Sequence, residues 1–190
     1  MIIGKKVTIR PVEESDIDFL YNWWNNGDMM AHAGLAYGVL SSKTAISEKI
    51  MEQIKDSNTY STSKRFIICK KEDKVPIGEM GYSNWNKRSQ NAEFGIKICE
   101  TSEQGKGYGE DTLFHFIDFM FKHLNLEKIY LSTIPDNKRA HSLYHKLGFK
   151  NVGVMRKDFF DSRTGTLSDV LYMDLLKDEW LEVKENYHFK

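Results

Sequence analysis

Apolar side chains recur along the chain with two different periods, and each period marks one kind of element. Alternation of apolar and polar positions, together with β-branched and aromatic runs, predicts about seven strands, over residues 7–12, 65–70, 77–84, 92–99, 128–133, 150–157 and 169–175. Spacing of three and four residues predicts helices over residues 14–25, 43–55, 113–124 and 137–147. Residues 26–42 are rich in Gly, Met and Ala without a clear period, so we predict a loop there.

The connections between these elements define the sheet. Short turns join the strands over residues 65–99, which implies an antiparallel meander. The strand over residues 128–133 is reached through a helix, and this return requires a parallel crossover. We therefore expect an α/β fold of the α+β kind, with a mixed, mostly antiparallel sheet of about seven strands and helices on both faces. Because the 190 residues contain no repeat or linker, we expect a single domain over residues 1–190.

The composition narrows the classes of ligand. With 27 basic and 27 acidic residues the formal net charge is zero, so the chain lacks the electrostatic footprint of a nucleic-acid binder. Cys69 and Cys99 are the two cysteines, and no CxxC or Cys/His spacing indicates a metal site. No window approaches the ~20 apolar residues of a membrane span, and residues 1–6 do not resemble a signal peptide. We expect a soluble, cytoplasmic protein with a small, locally charged ligand.

A glycine-rich turn follows the strand over residues 92–99 and reads Gln-Gly-Lys-Gly-Tyr-Gly-Glu over residues 104–110. A strand that runs through such a turn into a helix directs backbone N–H groups and the positive end of the helix dipole at one point. Glycines leave the amides accessible and Lys106 adds a cation, which favours a pyrophosphate ligand. The antiparallel approach argues against a Rossmann fingerprint, and the pattern G-x-x-x-x-G-K-[ST] is absent. A tight turn with no ligand is the alternative.

A second motif, Asn-Lys-Arg-Ala-His-Ser-Leu-Tyr-His-Lys-Leu-Gly-Phe over residues 137–149, makes the glycine turn more specific. Together with residues 91–94, 104–107 and 125–131, it makes the sequence resemble the GNAT superfamily of acetyl-CoA-dependent N-acetyltransferases. Within that superfamily the chain looks most like the spermidine N-acetyltransferases and the ribosomal-protein N-terminal acetylases. The resemblance implies a GNAT-like sheet whose central parallel strands, over residues 92–99 and 128–133, splay apart to admit the arm of coenzyme A.

The resemblance also implies which residues bind acetyl-CoA, the acetyl donor. The glycine turn would wrap the pyrophosphate through Gln104, Gly105, Lys106, Gly107, Tyr108, Gly109 and Glu110. The strand end formed by Lys97, Ile98 and Cys99 would pair its backbone with the pantetheine arm. Asn137, Arg139 and Ala140 would contact the cofactor from the next helix, although an Asn at a helix start is also a good cap.

Acetyl transfer from a thioester to an amine needs a proton acceptor, an oxyanion site and a proton for the thiolate. Tyr144 matches the family's general acid, and a Tyr with an ordinary pKa of about 10 can protonate the sulfur as it leaves. Glu93, Glu79 and ordered water are the alternatives for the base. A backbone N–H near Ile98 is expected to hold the oxyanion. We prefer direct attack through a tetrahedral intermediate to an acetyl-Cys99 intermediate, because no base adjoins that thiol in the sequence.

We expect the acceptor to lie against the loop over residues 26–42 and the turn over residues 158–161. Aromatic groups beside carboxylates suit a cationic amine, so we predict substrate contacts from Trp23, Tyr37, Phe160 and Asp161. Spermidine enzymes carry an acidic cluster in this loop, whereas residues 29–37 contain no carboxylate. Polyamines, aminoglycosides, a protein N-terminus and nucleotide-linked amino sugars all stay open as acceptors.

Two other functions compete with catalysis. A non-catalytic module could bind acyl-CoA and sense it, and a plain α/β interaction domain would bind no acetyl-CoA. Tyr144 at the position of the general acid favours the enzyme. A homodimer is a reasonable expectation for a chain of this kind.

Overall fold

The computed structural model describes residues 1–189, which form one eight-stranded sheet. The strands are β1 (Ile2–Ile3), β2 (Val7–Pro11), β3 (Lys64–Lys70), β4 (Pro76–Asn86), β5 (Asn91–Ile98), β6 (Lys128–Thr133), β7 (Lys150–Asp161) and β8 (Thr166–Leu176). Their order across the sheet is β1-β2-β3-β4-β5-β6-β8-β7. The predicted strands are all present, and the short β1 joins them because it pairs with β2 through Ile2 and Ile3.

The helices of the described residues are α1 (Ile17–Asn25), α2 (Gly27–Met30), α3 (Lys43–Lys55), α4 (Tyr108–His123), α5 (Lys138–Lys146) and α6 (Lys177–Glu185). The sequence did not predict α2, which lies in the expected loop and continues into a 3₁₀ turn over Ala31–Ala33. It did not predict α6 either. Across residues 1–189, no helix is long and apolar enough to cross a lipid bilayer.

The parallel pair at the centre of the sheet is short. β5 and β6 pair in parallel at Asn91 with Lys128, Ala92 with Ile129, and Glu93 with Tyr130. After that point β6 continues to pair with β8, while the remainder of β5 pairs with β4 alone. The other strand pairs are antiparallel, so the expected mixed, mostly antiparallel sheet with one splayed parallel pair is confirmed.

Two hydrophobic cores cover the two faces of the sheet. On one face α4 buries Phe116, Ile117 and Met120, whose spacing of three and four residues forms a continuous apolar stripe. On the other face α1 and α3 pack with Leu20 and Ile50 against strand residues. Burial of each such side chain contributes about 1.5–3 kcal/mol, so the two cores hold the sheet from both sides.

A buried carboxylate ties the start of the chain to α4. Asp111 is 1% exposed and accepts hydrogen bonds from the backbone N–H groups of Lys5 (3.0 Å), Lys6 (2.7 Å) and Val7 (3.0 Å). Buried polar groups are stable only when they are paired in this way. The turn between β1 and β2 is therefore attached to the first turn of α4, directly beside the glycine turn.

The C-terminal hairpin is longer than the sequence predicted. β7 and β8 pair as far as Asp161 with Thr166, and Gly165 takes a left-handed conformation (φ 67°) at the tip. The tip meets the 3₁₀ turn after α2, because Ser162 Oγ accepts from the N–H of Ala36 (3.0 Å) and donates to the carbonyl of Gly34 (2.8 Å). The two segments that we expected to hold the acceptor thus contact each other.

Candidate active site

The glycine turn places a group of accessible backbone amides at the start of α4. Gly105 (φ 82°) and Gly107 (φ 87°) both occupy the left-handed region, which other residues adopt only with strain. α4 begins at Tyr108, so its first N–H groups point out of this turn. Lys6 stabilises the turn, because its Nζ donates to the carbonyl oxygen of Lys106 at 2.9 Å. This is the geometry of an anion site at a helix N-terminus.

The neighbouring α5 adds a cation and a cap to the same region. A Cβ placed on Gly105 would lie 3.9 Å from Arg139 Nη2, at van der Waals distance, so this guanidinium lies directly beside the glycine turn. Asn137 caps α5, because its side chain accepts from the N–H of Ala140 at 3.2 Å, and it also lines the cleft described below. The cap and cofactor roles of Asn137 are therefore compatible.

Two charged residues of the turn have partners within the protein. Lys106 Nζ lies 3.0 Å from Glu103 Oε2. Glu110 accepts from Lys146 Nζ and from the hydroxyl of Tyr187, the latter at 2.9 Å. The carboxylate of Glu110 therefore joins α4 to α5 and to the C-terminal segment, so a contact between Glu110 and a pyrophosphate would be made through its backbone.

The separation of β5 from β6 leaves one edge of β5 without a neighbouring strand. A Cβ added to Gly95 would meet no atom within 4 Å, so the space beside this edge is open. At the end of the strand, Gln104 Nε2 donates to the carbonyl oxygen of Ile98 at 2.9 Å and fixes the turn onto β5. An extended, amide-containing molecule such as a pantetheine arm can pair with this open edge as an additional strand would.

A cleft of about 880 Å³ begins at this opening and crosses the sheet. Its walls near β6 and α5 include Phe94, Ile96, Ser132, Thr133, Asn137 and Tyr144. Its walls on the side of β3, β4 and α3 include His32, Glu52, Asp56, Arg65, Glu79 and Lys97. We call the first side the donor end and the second side the acceptor end.

Tyr144 stands in the wall of the donor end. Its ring packs against Phe94 (centroids 6.1 Å apart) and Phe149 (5.8 Å apart), which fixes its direction. Burial raises the pKa of Tyr144 to about 12, because the apolar surroundings disfavour the phenolate. The hydroxyl therefore stays protonated at neutral pH and is able to donate a proton or a hydrogen bond.

The two carboxylates that we considered as bases have other positions. Glu93 does not line the cleft, and it accepts from Asn84 Nδ2 (3.0 Å) and Ser132 Oγ (3.3 Å) at the point where β5 and β6 part. Glu93 belongs to the last residue pair of the two strands, opposite Tyr130. A direct role for Glu93 as the base has no support from this position.

Glu79 does line the cleft, but its charge is already neutralised. It is 5% exposed and accepts from Trp24 Nε1 at 2.9 Å, and it forms ion pairs with Arg65 and with Lys97, the latter at 3.0 Å. Burial would raise the pKa of this carboxyl, but the charges of Arg65 and Lys97 outweigh burial and lower it. Glu79 is thus a fixed anion at the floor of the acceptor end and a poor proton acceptor.

Cys99 is 3% exposed and packs in the core beneath α1. Burial raises the pKa of its thiol to about 12, so the nucleophilic thiolate is not formed at neutral pH. This environment agrees with our preference for direct attack over an acetyl-cysteine intermediate.

The predicted acceptor contacts do not line the cleft. Trp23 is 4% exposed and belongs to the core, where its Nε1 donates to Glu100 Oε1 at 2.8 Å. Tyr37 is 71% exposed on the outer side of the loop, and Phe160 is also exposed. Asp161 is neutralised by Arg163, whose Nη2 lies 3.0 Å from its Oδ2.

Sequence reasoning missed the side chains that do line the acceptor end, in particular His32, Arg65 and the side chain of Lys97. Arg65 and Lys97 share a face of the sheet with Glu79, because Lys97 is paired with Glu79 and Arg65 with the residue two positions on, Gly81. The alternation within each strand shows which residues share a face of that strand. To bring these residues together, however, one must know the register between three strands, which a single sequence does not give.

Comparison with known proteins decides the family. Residues 6–150 match the sequence model of the acetyltransferase (GNAT) domain, which is about three quarters of the chain. The chain belongs to the GNAT acetyltransferases. It is accordingly an N-acetyltransferase with acetyl-CoA as the acetyl donor.

Individual relatives agree with this assignment. The spermidine N(1)-acetyltransferase of Vibrio cholerae is 28% identical over 183 residues, which cover 96% of this chain and 100% of the relative. The Escherichia coli K12 spermidine N(1)-acetyltransferase is 28% identical over 92% of this chain and 88% of the relative. A crystal structure of the Vibrio cholerae spermidine enzyme with CoA and spermine superimposes with a TM-score of 0.82, at 29% identity, over 94% of this chain and 99% of that one.

Proposed function

We propose that this GNAT enzyme transfers the acetyl group of acetyl-CoA to a small primary amine by direct attack, with Tyr144 as the general acid. The observation that carries the proposal is the position of Tyr144 in the cleft wall, next to the open edge of β5 and protonated at neutral pH. A hydroxyl that stays protonated can hydrogen-bond the thioester sulfur and supply its proton as the C–S bond breaks.

The donor end is suited to bind and orient acetyl-CoA. Backbone N–H groups of Gly105 to Gly109 and the Arg139 guanidinium would hold the pyrophosphate, and the backbone of β5 up to Ile98 would pair with the pantetheine arm. A backbone N–H near Ile98 would stabilise the oxyanion. In direct attack no covalent intermediate forms on the protein, so the rate enhancement would come mainly from positioning and from preorganised donors.

The charges at the acceptor end limit the choice of amine. Of the three carboxylates in the cleft wall, Glu79 is paired with two cations and Asp56 accepts from Ser61 and from the N–H of Asn58 (2.9 Å). Among the described residues of that wall, Glu52 is the one carboxylate without a hydrogen bond or ion pair to another side chain. We therefore propose a small primary amine as the acceptor, with spermidine as the first compound to test because of the relatives.

A thiol-release assay tests this function. Wild-type protein is mixed with acetyl-CoA and, in separate reactions, spermidine, spermine, an aminoglycoside and a short peptide with a free N-terminus. We expect amine-dependent release of free thiol with at least one of them, and a product that has gained one acetyl group by mass spectrometry. Acetyl-CoA binding by calorimetry without thiol release from any amine would favour the non-catalytic sensor, and absence of binding would overturn the assignment of the donor site.

The oligomeric state of the protein is a second proposal. We propose a homodimer that involves β7, because this edge strand is exposed along most of its length and carries the exposed side chains of Val152, Val154 and Met155. Sedimentation analysis at two protein concentrations distinguishes a dimer from a monomer.

We also propose a cytoplasmic location. It agrees with the two free cysteines, Cys69 and Cys99, and is tested by fractionation of cells that express the protein.

A further inference from the structure

A histidine faces the cleft at the acceptor end. His32 lies in the 3₁₀ turn that follows α2, and it lines the same cleft as Tyr144. Among the cleft-lining residues that the structure describes, His32 is the one histidine. Imidazole is the side chain whose ordinary pKa lies closest to neutral pH, so it is well suited to accept a proton from a substrate.

The carboxylates near the cleft leave this role open. Glu79 is held by two cations and by Trp24, and Glu93 lies outside the cleft. Asp56 is engaged by Ser61 and by the backbone of Asn58. Glu52 is an exposed residue of α3 at the rim of the cleft, where water stabilises its charge.

We propose that His32 is the general base that removes the proton from the acceptor ammonium before it attacks the acetyl group. This inference rests on the proposed function, and it assigns the proton acceptor that the donor end does not contain. His32 and Tyr144 then divide the acid–base chemistry between the two ends of the cleft.

The surroundings hold the backbone of the turn and lower the pKa of His32, whose ring is also reached by solvent. The turn is closed by the N–H of Leu35, which donates to the carbonyl of Met30 at 3.1 Å, and by Gly34 in a left-handed conformation (φ 78°). The charged groups that face His32 are Lys97 on β5 and Glu79 on β4. Desolvation by the cleft walls and then the charge of Lys97 lower the pKa of His32, and these effects outweigh a hydrogen bond with the backbone of Met29 and the charge of Glu79.

The proton balance of the proposed step is complete. The acceptor ammonium gives one proton to a ring nitrogen of His32, which becomes an imidazolium and later releases the proton to water. The neutral amine nitrogen forms the C–N bond, and the C–S bond breaks. The sulfur takes a proton from the Tyr144 hydroxyl, and the second proton that the amine nitrogen loses restores the hydroxyl through solvent. The net products are the amide, free coenzyme A thiol and one proton.

The test compares His32→Gln with a matched control, His123→Gln, over a range of pH. His123 is exposed at the end of α4, where its ring stacks on Phe119 away from the cleft. The acceptor is spermidine, or the amine with the highest rate in the thiol-release screen. We expect His32→Gln to lower kcat/KM about 100-fold at pH 7 and to leave the Kd for acetyl-CoA unchanged. His123→Gln should behave as the wild type.

The pH profile separates a base from a structural residue. Above the pKa of a primary amine, about 10, the acceptor is already neutral and needs no base, so the deficit of His32→Gln should shrink steadily between pH 7 and pH ~10. A rate within twofold of the wild type, or a deficit that is the same at every pH, would overturn the role of His32 while the proposed function stands. A wild type that releases no thiol with any amine would overturn both.

Discussion

The donor end and the acceptor end of the cleft are built in different ways. The donor end consists largely of backbone: the amides of residues 105–109, the open edge of β5 and the start of α5. The acceptor end consists of side chains, His32, Arg65, Glu79 and Lys97, which come from four separate elements. Backbone sites follow from short local motifs, whereas side-chain sites depend on how distant strands are aligned.

The two ends also differ in their electrostatics. At the donor end the amides of the glycine turn lie beside the exposed guanidinium of Arg139. At the acceptor end the single carboxylate of Glu79 pairs with both Arg65 and Lys97, so this trio carries no net negative charge that would hold a cationic amine. Affinity for acetyl-CoA should therefore depend on charge, whereas selection of the amine should depend more on shape and on proton transfer.

The largest effect that we expect comes from Tyr144→Phe, which keeps the packing against Phe94 and Phe149 and removes the hydroxyl. Turnover should fall by at least about 100-fold, the scale of a lost general acid, while the Kd for acetyl-CoA stays the same. Thiol-release kinetics and calorimetry measure the two quantities. Tyr60→Phe, at an exposed tyrosine outside the cleft, is the control. Near-normal turnover of Tyr144→Phe would contradict the role of Tyr144 as the general acid.

The next effect concerns the frame of the donor end. Asp111→Asn weakens three buried hydrogen bonds to a charged acceptor, so we expect a loss of about 2 kcal/mol in the free energy of unfolding, measured by urea denaturation. Asp178→Asn, at an exposed position of α6, should change it by less than about 0.5 kcal/mol. Equal stability of the two variants would show that the attachment of residues 5–7 to α4 contributes little.

The stability of the same contact should depend on pH. Burial would raise the pKa of Asp111, but the neighbouring His115 and the backbone amides of Lys5, Lys6 and Val7 outweigh it and lower that pKa below 3.8. A group with a lowered pKa in the folded state stabilises the protein above its unfolded pKa, and the stabilisation is lost as the pH falls through the folded value. The stability difference between wild type and Asp111→Asn should therefore be full at pH 6 and shrink below about pH 4. A constant difference would contradict this.

A smaller effect should separate the two ends directly. Arg139→Gln removes the cation beside Gly105, so we expect the Kd for acetyl-CoA to rise about tenfold and the KM for the amine to stay unchanged. The rise should diminish at high salt, since exposed charges are screened. Arg88→Gln, in the exposed turn between β4 and β5, controls for a general loss of charge. A change in the KM for the amine alone would contradict the assignment of Arg139 to the donor end.

The smallest effect is expected at the tip of the C-terminal hairpin. Asp161 is paired with Arg163 and does not line the cleft, so Asp161→Asn should change the KM for the amine by less than about twofold. Steady-state kinetics with spermidine or the preferred amine measures this. A large increase in KM would instead restore Asp161 as the anchor that its place in the sequence suggested.

The sequence predicted the backbone elements of the donor end because each of them is local. The glycine turn, the strand before it and the motif over residues 137–149 are contiguous, and their patterns determine backbone conformation directly. The separation of β5 from β6 was predicted from the family resemblance and not from the periodicity of the sequence. Helix α6 escaped prediction because Trp180 is its one buried residue in the described structure, which gives no apolar stripe to detect.

The acceptor end could not be predicted in the same way. His32 lies in a segment without periodicity, and its exposure to the cleft depends on α2, on Gly34 and on the contact with Ser162. Trp23 looked free because it lies off the apolar stripe of α1, yet α1 is covered on two sides and both Trp23 and Trp24 are buried. Tertiary packing, rather than local pattern, determined each of these positions.

Amide hydrogen exchange with and without acetyl-CoA tests the central claim, that the open edge of β5 and the glycine turn hold the donor. We predict that acetyl-CoA protects the amides of residues 95–98 and 105–109, and that residues 158–161 at the hairpin tip exchange as before. Unchanged exchange at residues 95–98, or protection confined to the hairpin tip, would contradict it.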